Sequence, residues 1–203
     1  MRPFRELLSS TTRKVFWDEY LQSAFERSKN EICKLIEVGL TCYRKDRETA
    51  LVTDYSGNGL GFVLLQKACS CELNDIFCCI DGWKLVLCGS RTLEKAEEDY
   101  APREGEALAI AWSINKCKMF LLGHPGFLVF TDHKSLVKTF NDQELRKIDN
   151  PRILKMKERC LKYRFVTKHI EGKKNHAPDI LSRYPLKVCR SSTSDKDRDN
   201  KLA

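Results

Sequence analysis

The 203-residue chain is 42% hydrophobic and 32% charged, which suits one globular domain with extensions and excludes a fibre or wholesale disorder. A formal net charge of +8 favours an anionic partner, nucleic acid before a membrane surface. No apolar run is long enough to span a bilayer, and the opening MRPFRELLSS lacks the apolar core of a secretory signal. The expectation is a soluble, intracellular protein whose ten cysteines stay reduced.

Residues 1–45 read as helical, with Asp18 as an N-cap and Tyr20, Ala24, Phe25, Ile32 and Leu35 at roughly helical spacing. A strand over 49–54, a turn at 55–59 and an apolar strand over 60–66 form a hairpin. A Cys-rich connection over 67–82 leads to a third strand at 84–90. A long helix over 102–122 follows, opened by Pro102 and closed by Gly123, with Ala107, Ile110, Ile114, Cys117 and Leu121 on its buried face. Then come a strand at 127–132, a short helix at 134–140, a basic helix from Pro151 to about residue 163, a strand at 165–170 and a last helix at 177–183. The final 18 residues are polar and charged and read as a disordered tail. Three strands, then helices alternating with strands, predict an α/β fold with a mixed five-stranded sheet flanked by helices and a helical N-terminal extension.

Four carboxylates occupy places that folding alone does not require. Asp54 and Asp132 end strands; Glu106 and Asp179 lie in the first turns of helices, beside apolar neighbours. Singly, such acids are more often solvated or dipole-complementing. As a set they can converge on one sheet edge, where mutual repulsion calls for a cation. Two divalent ions about 3.5–4 Å apart relieve that repulsion and suit phosphodiester hydrolysis. Mg²⁺ matches oxygen donors, with Mn²⁺ as a substitute.

Residues 145–174 hold eleven Lys/Arg against three acids, a surplus equal to the net charge of the whole chain. Arg152, Lys155, Arg159, Lys162, Lys173 and Lys174 are the candidates for backbone contact with a nucleic acid, the alternative being a solvated helix face. His133 follows Asp132, and His176, three residues before Asp179, reads as a surface histidine, the alternative being a part in product release or proton transfer. Cys69, Cys71, Cys78 and Cys79 invite a zinc reading, but the C-x₂₋₄-C pair of structural sites is missing, so free thiols are expected.

Several segments, in order, resemble the ribonuclease H domain of gypsy-class LTR retrotransposons. Thr53-Asp54-Tyr55-Ser56 is similar to that family's T-D-A-S, and residues 59–66 (GLGFVLLQ) to its G-x-G-x-V-L-x-Q. Ser90-Arg91-Thr92-Leu93, Glu104-Gly105-Glu106-Ala107-Leu108-Ala109, Thr131-Asp132-His133 and Ala177-Pro178-Asp179-Ile180-Leu181-Ser182-Arg183 follow in register. The resemblance implies an RNase H-like fold and hydrolysis of the RNA strand of RNA–DNA hybrids. It implies Asp54, Glu106, Asp132 and Asp179 as catalytic residues and ligands of two Mg²⁺ ions. It places an RNase H-like domain at 47–185, a thumb- or connection-like helical extension at 1–46 and the tail at 186–203. The remaining reverse transcriptase domains would be partners, and the Y-x-D-D strand of a polymerase is absent from this sequence. Tyr55 departs from the pattern, standing where a small residue is usual, beside a ligand position. The competing readings are a catalytically silent or domesticated fragment that binds nucleic acid, and a structural module of a longer reverse transcriptase.

Overall fold

A computed structural model of the chain describes residues 17–72, 75–79 and 82–185. The expected tail and the first part of the N-terminal helical extension lie outside the described residues. The chain divides into two units, residues 1–42 and 43–203. In the first, helix α1 (Glu19–Gly39) starts where Asp18 Oδ1 accepts the Leu21 N–H at 2.8 Å, the N-cap bond expected from the sequence. Trp17 meets Phe25 edge to face at 5.9 Å, and both are exposed.

The second unit is built on strands β1 (Thr49–Ser56), β2 (Gly59–Lys67), β3 (Trp83–Thr92), β4 (Phe127–Thr131) and β5 (Phe165–His169). Their spatial order is β3-β2-β1-β4-β5. β1 pairs antiparallel with β2, as β2 does with β3, while β1–β4 and β4–β5 are parallel. The mixed five-stranded sheet is therefore as expected. Its helices are α2 (Pro102–Lys116), α3 (Lys118–Leu121), α4 (Lys134–Asn141), α5 (Pro151–Cys160) and α6 (His176–Arg183).

Both faces of the central strands are covered, which is why Ala50-Leu51-Val52 of β1 are consecutive apolar residues rather than an alternation. Leu51, Phe62 and Leu64 face Ala107, Ile110 and Ile114 of α2 and Ile153 and Met156 of α5. On the opposite face Ala50, Val52, Val63, Phe130 and Ile170 form a smaller cluster. Burying a side chain such as Ile110 contributes about 1.5–3 kcal/mol, so the larger cluster dominates the stability of the unit.

Two helices differ from their expected extents. The long helix breaks at Cys117, whose φ of −89° and ψ of 11° leave the helical region although its side chain is fully buried. Beyond α3, Gly123 turns the chain with φ +77°, a left-handed conformation that glycine adopts without strain. The basic helix stops at Cys160 instead of near residue 163. Its start is doubly fixed: Pro151 occupies the first turn and Asn150 Oδ1 accepts the N–H groups of Arg152 and Ile153, each at 3.0 Å. One of its lysines is not on the surface. Lys157 is buried, and its ammonium donates to the carbonyls of Thr139, at 2.7 Å, and Gln143. These carbonyls lie at and beyond the end of α4, where helix acceptors lack partners.

At the β5 flank, Asn141 pairs with Thr167 as a strand would. Its Nδ2 donates to Thr167 O at 2.9 Å and its Oδ1 accepts Thr167 N–H at 2.8 Å.

Candidate active site

Parallel pairing of β1 and β4 brings the carboxyl ends of both strands side by side, so Asp54 and Asp132 meet there. Asp132 follows β4 directly, whereas β1 runs on to Ser56, so Asp54 lies within the strand instead of ending it as expected. Glu106 reaches them from the first turns of α2. One carboxylate oxygen from each of the three lies within 4.8 Å of the others. Asp54 and Glu106 are 4% and 5% exposed, and Asp132 is the most open of the three.

Each buried carboxylate is held by the scaffold. Ser182 Oγ donates to Asp54 Oδ2 at 2.5 Å, and Asn175 Nδ2 donates to Asp54 Oδ1 at 2.9 Å. Glu106 Oε1 accepts the Tyr55 N–H at 3.2 Å, and its Oε2 accepts from Thr131 Oγ1 at 3.4 Å. Burial lifts Asp54 to about 6; the charges of Asp132 and Asp179 add to the rise and the bonds from Ser182 and Asn175 oppose it. Burial, and then the charges of Asp132 and Asp54, push Glu106 to about 9. The two buried acids, Asp54 and Glu106, hold on to protons that a cation would displace.

Asp179 stands differently. Its carboxylate falls outside that group of three and accepts from Arg183 Nε at 2.7 Å, one turn along α6. Its charge nonetheless acts on Asp54. The helix carrying it sits directly on the sheet at Gly61, where a Cβ would come within 2.5 Å of Pro178 O and 2.7 Å of Ser182 N. That glycine lets the backbone of α6 approach β2 closely enough for Ser182 to reach Asp54.

The other acid of the Glu104-Gly105-Glu106 segment has a different task. Glu104 accepts from Ala101 N at 3.1 Å, Asn150 Nδ2 at 2.7 Å and Arg152 at 2.9 Å, tying the starts of α2 and α5 together. Tyr55 bonds Glu106 through its backbone N–H, while its side chain turns to the core. Its ring packs against Gly105, where a Cβ would lie 2.5 Å from three ring atoms, and joins the core under α2.

Of the basic candidates, Arg152 is engaged by Glu104 and stacks 4.6 Å over the Tyr100 ring. Lys155 and Arg159 are exposed one turn apart on α5, and Lys162 follows beyond its end. Lys173 and Lys174 are exposed in the 3₁₀ turn leading to α6, where Lys174 pairs with Glu171 at 3.6 Å. His133 Nδ1 lies 3.0 Å from Ser135 Oγ, and His176 is exposed at the start of α6. Sequence reasoning gave no site role to Asn175 and Ser182. Their signal was faint: two small polar residues beside the last acid, distinguished only by being 1% and 0% exposed once folded.

The sheet order and the edge carboxylates define an RNase H-like α/β domain. The family model described as "RNase H-like domain found in reverse transcriptase" matches residues 44–163, more than half of the chain, and the chain belongs to that family. It is 29% identical over 192 residues to the retrovirus-related Pol polyprotein from transposon opus of Drosophila melanogaster, a match covering 94% of this chain and 17% of that protein. The Pol polyprotein from transposon gypsy of the same organism is 29% identical over 177 residues, covering 87% of this chain and 15% of the relative. The chain thus spans less than a fifth of either relative. Among solved structures, a prototype foamy virus protease-reverse transcriptase (CSH mutant) aligns with a TM-score of 0.50 at 13% identity, over 83% of this chain and 21% of that one. At that identity the likeness concerns the fold. No helix among the described residues is long and apolar enough to cross a membrane.

Proposed function

We propose that this chain is a nuclease domain that hydrolyses the RNA strand of RNA–DNA hybrids as a segment of a longer Pol polyprotein. One observation carries the reading: three carboxylates from three separate elements converge within 4.8 Å at the sheet edge, two of them buried. Family membership and the polyprotein relatives support it. Residues 47–185 would be the nuclease domain, 1–46 its connection to upstream domains and 186–203 a tail.

The donor set fits divalent magnesium, since it offers hard carboxylate oxygens and no sulfur or imidazole nitrogen. Asp54, Glu106 and Asp132 would hold the ions, with Asp179 contributing once it lets go of Arg183. When bound, a pair of such ions supplies the positive charge that activates a water and stabilises the leaving oxygen. The protein's own part is positional. Ser182 and Asn175 fix both oxygens of Asp54, and Tyr55 N–H and Thr131 fix those of Glu106. Glu106, protonated at neutral pH on its own, gives up that proton as the site is loaded. Lys155, Arg159, Lys162, Lys173 and Lys174 contact phosphates without reading sequence, which suits recognition of a hybrid by shape.

The test is cleavage of a labelled RNA–DNA hybrid with Mg²⁺ by the wild-type chain and by Asp54→Asn and Asp132→Asn, with thermal melts run in parallel. The wild type should cleave and both variants should lose cleavage while remaining folded. Undiminished cleavage by either variant overturns the ligand assignment. Hybrid binding without cleavage by the wild type supports the silent-fragment reading instead.

A further inference from the structure

The connection between β2 and β3 folds four cysteines into one cluster. One Sγ from each of Cys69, Cys71, Cys78 and Cys79 lies within 4.8 Å of all the others. Cys69 and Cys78 are 3.4 Å apart, and Cys71 and Cys79 3.9 Å. A zinc ion with four thiolates at about 2.3 Å sets its sulfurs about 3.8 Å apart along each edge of the tetrahedron. A disulfide requires about 2.05 Å. Both separations lie far nearer the former than the latter.

The backbone is shaped to the sulfurs. At Gly82 a Cβ would stand 2.8 Å from both Cys78 Sγ and Cys79 Sγ and 3.2 Å from Cys69 Sγ, so the position admits only glycine without displacing them. Gly82 is itself anchored: its carbonyl accepts from Ala68 N at 2.8 Å and its N–H donates to Cys79 O at 3.2 Å. Cys69 Sγ accepts a hydrogen bond from the Cys71 backbone N–H, the kind of donor that supports a metal-bound thiolate. The Lys67 ammonium, paired with Glu48 at 3.1 Å, is near enough to act electrostatically on Cys69 and Cys78 as well.

We propose that Cys69, Cys71, Cys78 and Cys79 form a structural tetrathiolate zinc site that clamps the β2–β3 connection. All four positions are filled by protein, which leaves no open position for catalysis. The clamp holds Ile76 and Trp83 against the Val52–Phe130 apolar cluster on the α6 side of the sheet. It is chemically separate from the carboxylate site, which offers oxygen alone.

The experiment uses the full 203-residue chain, purified under reducing conditions, stripped of metal and titrated with Co²⁺. The expected result is an intense thiolate-to-cobalt charge-transfer band with tetrahedral d–d absorption that saturates at one Co²⁺ per chain, the carboxylate site adding no such band, and that is removed by one equivalent of Zn²⁺. Asp54→Asn should retain the spectrum, whereas Cys71→Ser and Cys79→Ser should each lose the four-sulfur signature. Gly82→Ala should weaken Zn²⁺ binding by at least tenfold. A second readout needs no variant: Zn²⁺ should slow alkylation of four thiols in the wild type, located by peptide mass mapping. A wild-type titration without the charge-transfer band, or protection that falls on other cysteines, overturns the proposal.

Discussion

Ser182 Oγ lies 2.5 Å from Asp54 Oδ2, joining the last helix of the domain to its first strand across 128 positions of sequence. The bond makes the geometry of the sheet-edge acids depend on how α6 is seated. Ser182→Ala removes a donor to a buried carboxylate, a loss of roughly 1–3 kcal/mol. Because that bond opposes the rise in the Asp54 pKa, the acid limb of the pH–cleavage profile should move to higher pH. An unmoved limb would detach Asp54 from the rate.

Gly61→Ala should be more damaging than its single methyl suggests. The new Cβ meets backbone atoms of Pro178 and Ser182 rather than a flexible side chain. Overpacking of this kind costs about 1–3 kcal/mol. The variant should lose thermal stability and hybrid cleavage together, measured by melting curves and single-turnover assays. Gly57→Ala, with nothing within 4 Å of its Cβ, is the control.

In the absence of divalent ions, stability should fall as pH rises. Asp54 and Glu106 titrate at about 6 and about 9 when folded, against about 4 for unfolded carboxylates. Between these values the folded state binds more protons than the unfolded state, so alkali favours unfolding. Melting temperatures in chelator should decline from about pH 4 to 9, and Mg²⁺ should flatten the decline. A chelated chain that gains stability over that window contradicts the raised values.

The basic residues should separate by role. Arg152→Ala breaks the tie to Glu104 and the stack on Tyr100; it should lower the melting temperature, by an amount limited to about 1 kcal/mol by the exposure of the pair. Lys155→Ala with Arg159→Ala should leave melting unchanged and weaken hybrid binding. The slope of log affinity against log salt should flatten by about 0.7–0.9 for each phosphate that is no longer neutralised.

The element order was legible because hydrophobic period and turn chemistry agree along the chain. β1 and β2 are apolar runs of strand length bounded by Gly-Asn-Gly, and α2 carries Pro102 at its start and Ala107, Ile110 and Ile114 on its buried face. What escaped depends on tertiary approach. Lys157 reads as one more surface cation, and only the docking of α5 beside the end of α4 buries it. Asn175 and Ser182 become partners of Asp54 only once the last helix docks on the sheet, Ser182 through the close approach at Gly61. The clustering of the cysteines escaped for a similar reason. A spacing rule describes ligands presented by short loops, whereas here Cys69–Cys71 and Cys78–Cys79 come from opposite limbs of one long connection.

The amide of Asn141 takes up both outward-facing backbone groups of Thr167. An incoming chain seeking to extend the sheet past β5 would find its docking points already occupied there. Lateral growth of the sheet is thereby disfavoured at that point of the β5 flank.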